Sequence, residues 1–322
     1  MIKVALVGIG AMGFVHYKAY KELEHASVIA VADPRTDMAK EKIGEDKVNL
    51  YQSFEEMLKN ENPDMIDICL PSYLHKEYTI KALEAGKHVL CEKPMSLSSE
   101  DSAQMIEAAA KADKHLMIAH VVRFMSPYVY LREVIKSKKY GNPIKIDMKR
   151  LSTVPRWSWE NWMRDTNKSG GTPIDLSIHD IDYIQSIFGE PNNVCGTYHE
   201  LNADNDYINS ELIYDGFTVS VLGGWFNTDI SFRAEFIAIF ENGYLEYKNN
   251  IMIENGKEIE IQLGKTSDDT RINLSGVDGY SDEIAYFVDC IINNRQPLKV
   301  TPESSLSSVR LIERILDNSV KI

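Results

Sequence analysis

Three short stretches carry residue types that can move a proton or hold a charged oxygen. The first is Cys91-Glu92-Lys93-Pro94, at the end of an apolar run. A protonated Lys93 can donate to a substrate oxygen and stabilise a forming alkoxide. Glu92 then acts as a ribose or amide contact, or as the counter-charge that keeps Lys93 protonated. A solvated loop lysine fits the same residues. The second stretch runs from Gly170-Gly171-Thr172-Pro173 to His179-Asp180-Ile181-Asp182. On an α-helix Asp175, His179 and Asp182 fall at i, i+4 and i+7 and share one face. A carboxylate one turn before a histidine orients the imidazole and stabilises its charged form, as a general base removing a hydroxyl proton requires. A buried, hydrogen-bonded histidine in a capped helix gives the same pattern. A metal site there lacks an obvious third protein ligand, and none is expected.

The third stretch is Gly8-Ile9-Gly10-Ala11-Met12-Gly13. The motif G-x-G-x-x-G is weak alone, but here a strand pattern precedes it and a helix pattern follows. Asp33 ends the next strand pattern about 20 residues on, as a dinucleotide-binding fingerprint requires. The glycines would give the turn, the approach of a pyrophosphate and the packing of helix on strand. Asp33 can accept both ribose hydroxyls and repels a 2′-phosphate, which favours NAD; Arg35 is close enough to blunt that preference and leaves NADP open. Pro71, Ser72 and His75 follow another strand at its carboxyl end, where open α/β sheets bind ligands. A turn belongs there whatever the function, and His16 reads as a packed helix residue. Arg123 reads as a substrate contact or an interdomain ion pair. Trp157, Trp159 and Trp162 form either an apolar wall for a sugar face or a packing cluster.

The elements that must position these groups come in two patterns. Up to about residue 120, short β-branched runs alternate with amphipathic helices, which implies parallel strands, right-handed crossovers and a doubly wound sheet. Ser53 with Glu56 is a capping box in this part. Thr172–Ile187 reads as one helix. From Val194 to Leu263 the pattern is strands and turns, with hairpin signals at Asp215-Gly216, Asn242-Gly243 and Asn255-Gly256. The expected fold is an N-terminal Rossmann-type domain over 1–122 and an α+β domain over 123–322 with a large, mostly antiparallel open-faced sheet. The final helices are free to pack back on the first domain.

Over 322 residues the chain carries a net charge of −13, which disfavours nucleic acid and anionic membranes as partners. Its four cysteines lie far apart and read as buried thiols, pointing to a reducing compartment, the cytoplasm by default. No apolar run approaches the ~18 residues of a spanning helix.

Taken in order, Gly8–Gly13, Asp33, Leu70-Pro71-Ser72-Tyr73-Leu74-His75, Ala85 through Glu92-Lys93-Pro94, Arg123-Phe124 and Ser169-Gly170-Gly171 through Asp182 resemble the glucose–fructose oxidoreductase / inositol dehydrogenase / MocA family. The look is that of its inositol and sugar dehydrogenase branch. The resemblance implies an NAD(P)-binding Rossmann domain, with Lys93, Asp175 and His179 in the catalytic positions. It also implies a homodimer or homotetramer formed through the C-terminal sheet, and Tyr280 near the nicotinamide. The implied reaction is hydride transfer between the nicotinamide and a secondary alcohol of a polyol, inositol or sugar. Two alternatives are an NAD(P)-binding regulator without turnover, and a glycosidase or lyase cycle opened by transient oxidation.

Overall fold

The computed structural model of the chain describes residues 1–202, 205–260 and 279–322. The chain divides into two compact units, 1–119 with 280–306 and 120–279 with 307–322.

In the first unit β1 (Ile2–Val7), α1 (Ala11–Lys21), β2 (Ala26–Ala32), α2 (Thr36–Ile43), β3 (Asn49–Tyr51), α3 (Phe54–Asn60), β4 (Met65–Ile68), α4 (His75–Glu84), β5 (His88–Glu92), α5 (Ser99–Ala112) and β6 (Leu116–Ala119) alternate as expected. The six strands are parallel in the order β3-β2-β1-β4-β5-β6. Both faces are covered, so strands such as Val4–Val7 are apolar without alternation and fully buried. The order reverses between β1 and β4, which opens a crevice at the carboxyl ends of these strands. Ser53 and Ser98 cap α3 and α5 by accepting the amides of Glu56 and Asp101. Glu56 reaches back to the amide of Gln52, one residue earlier than a strict capping box. The edge strand β3 has three residues, too few to leave an alternating signal in the sequence.

The second unit holds α6 (Ser126–Ser137), β7 (Pro143–Thr153), α7 (Thr166–Ser169), α8 (Ile178–Phe188), β8 (Asn193–Asn202), β9 (Asn205–Tyr214), β10 (Phe217–Phe226), β11 (Arg233–Phe240), β12 (Gly243–Lys248), β13 (Ile251–Glu254) and β14 (Lys257–Ile259). Next in the chain come α9 (Gly279–Ile292), which apart from Gly279 belongs to the first unit, α10 (Pro302–Asp317), divided between the two units after Leu306, and β15 (Ser319–Lys321) of the second. Nine strands form one sheet in the order β14-β13-β12-β11-β7-β10-β9-β8-β15. It is mostly antiparallel, with β7 parallel to β10 and β15 parallel to β8. Burial alternates along β9 and β10, so one face is packed and the other half-open. Rings of Tyr128, Tyr183, Phe236 and Tyr247 pack edge-on in the covered core.

Three details differ from the sequence expectations. The helix expected over Thr172–Ile187 begins as a π-helical turn, Thr172–Ser177, before α8. The β11–β12 hairpin turns at Glu241-Asn242 rather than Asn242-Gly243, because Gly243 already pairs with Phe240. A further hairpin turns at Asn249-Asn250, both at positive φ; asparagine tolerates that conformation without glycine. The turns at Asp215-Gly216 and Asn255-Gly256 fall between paired strands as expected. Residues 261–263 of the expected strand run lie outside the described residues.

Candidate active site

The nucleotide end is built on the β1–α1 turn. Gly8 sits at φ +85, and a Cβ there would stand 2.8 Å from the Cys69 carbonyl oxygen. Any side chain on Gly13 would collide with the Gly8 carbonyl, so helix and strand touch there through backbone. A Cβ on Gly10 would meet no described atom within 4 Å. Packing therefore fixes the outer two glycines and leaves open space over the middle one, as a pyrophosphate needs. No described side chain caps α1 at Gly10, and its first turn (Ala11, Met12) carries no acid, so its amides suit an anion. These residues fit a dinucleotide.

Asp33, at the end of β2, is buried. Its carboxylate accepts the Ile9 amide at 3.0 Å and three donors of Arg35 at 2.9 Å each. Burial opposes its charge, but Arg35 and the two amides hold the carboxyl below its ordinary range.

Lys93 is half-buried and follows β5 at the carboxyl edge, in a turn held by two histidines. His16 is fully buried on α1, with Nδ1 2.9 Å from Asp67 Oδ2 and Nε2 3.1 Å from Glu92 Oε1. Glu92 Oε2 in turn accepts the Lys93 amide at 3.0 Å. Burial disfavours the imidazolium, but the charge of Asp67 above all holds the His16 pKa well above its ordinary value. Burial likewise works against ionised Glu92, while His16 and Lys93 hold its pKa down. Tyr20 donates to Asp67 at 2.9 Å, and the Tyr280 ring lies 6.1 Å from that of His16.

His75 Nδ1 lies 2.7 Å from the Pro94 carbonyl and Nε2 2.8 Å from that of Leu70. Burial lowers its pKa, while the two carbonyls work the other way. The ring thus clips the segment containing Pro71 and buried Ser72 to the Lys93–Pro94 turn. The group His16, Asp67 and Cys69 is compact enough for a cation, with the His16 nitrogens already shared between Asp67 and Glu92.

In the second unit Asp175 lies buried in the π turn, and His179 is half-buried in the first turn of α8. The start of this segment is held by a residue the sequence did not single out. Asp206, on the covered face of β9, accepts both the amide and the hydroxyl of Thr172 at 2.6 Å. Burial pushes its carboxyl up to about 6, against the Thr172 hydrogen bonds and with help from the Asp175 charge. Ser177 sits directly over Gly223 of β10, where any side chain would meet its hydroxyl. π turns are uncommon and cluster at functional sites.

Asp182, three residues after His179 on α8, is engaged in an ion pair. It pairs with Arg123 at 2.6 and 2.8 Å and accepts Ser308 Oγ at 2.8 Å. Burial works against its charge, but Arg123 and His120 hold it ionised. Arg123 is itself buried, and its guanidinium pairs with Asp182 inside the second unit. Asp180 is likewise taken by Arg150. Trp157 and Trp159 are 50% and 40% exposed and Trp162 is half-buried. Met163 packs their loop against Val154, Leu176 and Trp225. Asp67, Asp206 and Gly223 escaped sequence reasoning because each sits inside an ordinary strand pattern.

Two family models match the chain. Residues 2–120 fit the oxidoreductase-family NAD-binding Rossmann fold, and residues 132–319 fit the oxidoreductase-family C-terminal alpha/beta domain. The chain belongs to the glucose–fructose oxidoreductase / inositol dehydrogenase / MocA family. It is 31% identical over 194 residues to a myo-inositol 2-dehydrogenase of Thermotoga maritima, covering 59% of this chain and 55% of that one. It is 30% identical over 192 residues to a 2,7-anhydro-N-acetylneuraminate hydratase of Escherichia coli, covering 59% and 50%. The chain thus spans about half the length of these curated relatives. Among solved structures it resembles a scyllo-inositol dehydrogenase of Lactobacillus casei with bound NAD(H) and scyllo-inositol. The TM-score there is 0.78 at 21% identity, over 99% of this chain and 97% of the other.

Proposed function

We propose that this chain is an NAD(P)-dependent dehydrogenase acting on a secondary alcohol of a polyol, inositol or sugar. The observation that carries the reading is a lysine at the carboxyl edge of a dinucleotide-binding sheet, in a chain of this family that also keeps Asp175 and His179. His179 takes the hydroxyl proton, with Asp175 steadying its ring. Lys93 donates to the same oxygen and stabilises the alkoxide as it forms. Gly8 through Gly13 and Asp33 hold the cofactor, which supplies the hydride acceptor. Glu92 and Tyr280 border the lysine turn, while Trp157 and Trp162 offer apolar surface to a sugar. His75 positions the turn through its carbonyl contacts, and Arg123 braces Asp182. In reverse, His179 protonates the new alcohol.

The test is a panel of inositols, aldoses and sugar acids with each oxidised cofactor, read at the NADH band. Net reduced cofactor with one class of hydroxyl compound is the expected result; no reduction with any of them contradicts the reading. The relationship to a hydratase favours a second reading, in which oxidation is transient. Product without net cofactor change would identify it.

The half-open sheet face carries Leu151, Ile213, Leu222, Ile237, Ile239 and Ile251. It also carries Lys145, Asp147, Lys149, Glu211 and Glu235, and the assembly proposed for it is the homodimer or homotetramer that the family resemblance implies. No helix among the described residues is long and apolar enough to cross a membrane, and the proposed location is the cytoplasm.

A further inference from the structure

A buried polar cluster stands behind the Lys93 turn, and its centre has no part in the reaction proposed above. His16, on α1, is fully buried, so it reaches the reaction only through its neighbours. Its Nδ1 stands 2.9 Å from Asp67 Oδ2 and its Nε2 3.1 Å from Glu92 Oε1. A neutral imidazole has a single N–H and would turn a lone pair toward one of these carboxylates, so two close carboxylates call for the imidazolium. Around the ring stand Cys69, with Sγ 3.5 Å from Nδ1, and the Tyr280 ring of α9. Tyr20 donates to Asp67, and Glu283 of α9, also fully buried, adds its charge beside Tyr20. Glu92 is buried too, and its second oxygen, Oε2, accepts the Lys93 amide at 3.0 Å. His16 and that amide thus divide the two oxygens of one carboxylate, and a buried carboxylate stripped of such partners takes up a proton or turns toward water. The next residue is the lysine, and misplacing a reacting group by about 1 Å costs on the order of 10²-fold in rate.

We propose that His16 is a positioning residue for the reaction: clamped between Asp67 and Glu92, it fixes the Glu92 carboxylate against the Lys93 amide and so places the Lys93 ammonium on the substrate oxygen. Asp67, held by Tyr20, anchors the ring, and Glu92 passes its position on to the backbone of the turn. Of the roles its sequence leaves open, Glu92 then takes that of a partner to the lysine and not that of a ribose contact.

The proposal rests on the reading of Lys93 as the group that meets the substrate oxygen, and amide hydrogen exchange in the full-length protein tests the clamp without any substrate. His16→Asn puts an amide where the ring has Nδ1 and keeps the Asp67 arm alone; His16→Gln puts one where the ring has Nε2 and keeps the Glu92 arm. In His16→Asn the Lys93 amide is expected to exchange about tenfold faster or more, while the Val89 amide of the same strand, bonded to the His115 carbonyl, keeps its rate. His16→Gln should show a smaller change in the same direction. An unaltered Lys93 rate in both variants overturns the proposal, and so does equal acceleration of Lys93 and Val89, which would mark general loosening. On the hydroxyl compound that the panel identifies, His16→Asn should lose about tenfold or more in kcat with NADH affinity kept within about threefold, and His16→Gln should recover part of the loss. Wild-type kcat in His16→Asn overturns the proposal alone. A wild type without turnover on the whole panel overturns the dehydrogenase reading, and the exchange comparison still decides whether His16 holds the turn.

Discussion

His179 and Lys93 carry the chemical weight of this account at the scale of single residues. Removing a well-placed acid–base group costs about 10²–10⁴-fold in rate. His179→Ala is therefore expected to lose turnover in that range while binding NADH as wild type does, and wild-type turnover in the mutant would remove His179 from its role. A second residue-scale prediction concerns Asp206, whose folded-state pKa is raised from 3.8 to about 6. The fold favours its protonated form, so this contribution to stability is complete below pH 3.8 and is lost as pH rises through 6. At about 1.4 kcal/mol per pKa unit, that window is worth about 3 kcal/mol. Chemical denaturation between pH 4 and 7 should show this decline in wild type and a shallower one in Asp206→Asn; parallel curves would show that Asp206 does not titrate there. The glycine motif, Asp33 and the Lys93 turn were legible because their chemistry is local in sequence. Asp206 was not, since its partner Thr172 lies on another element and only the fold joins them.

The elements show how tightly these groups are held. α1 delivers His16 between Asp67 on β4 and Glu92 on β5, linking the helix to the strand that ends at Lys93. Deleting one member of a buried ionic cluster leaves uncompensated charge and typically costs about 3–5 kcal/mol. His16→Ala should lose stability of that order in urea unfolding, and a loss below 1 kcal/mol would mean the cluster holds nothing. The π turn depends on Gly223 in the same way. Gly223→Ala would push against Ser177, and overpacking costs about 1–3 kcal/mol. Because the displaced turn carries Asp175, turnover should fall further than stability alone explains; unchanged kinetics would free Asp175 from this dependence. Helical periodicity found the helix expected over Thr172–Ile187 but not the π turn that opens it. A spacing of 3.6 residues per turn does not hold across a π turn, and the pull of Arg123 on Asp182 is invisible in a local pattern.

At the scale of the whole molecule, alternation of strand and helix announced the first sheet, and turn signals announced the second. Parallel pairing of β7 with β10 and of β15 with β8 was not legible, because sequence patterns report faces and not neighbours. Self-association through the mixed apolar and charged outer face of the large sheet is the proposed assembly. Sedimentation should give a dimer or tetramer, and Ile239→Glu should shift it toward monomer; a monomeric wild type would dismiss that use of the face. The central claim is that Lys93 and His179, remote in sequence, serve one substrate oxygen. Residues acting as a unit have non-additive effects on rate. The decisive measurement is a kinetic double-mutant cycle on whichever hydroxyl compound the panel identifies, comparing wild type, Lys93→Ala, His179→Ala and the double mutant. The double mutant is expected to be little slower than the worse single mutant. Losses that multiply would show two groups acting independently and would contradict it.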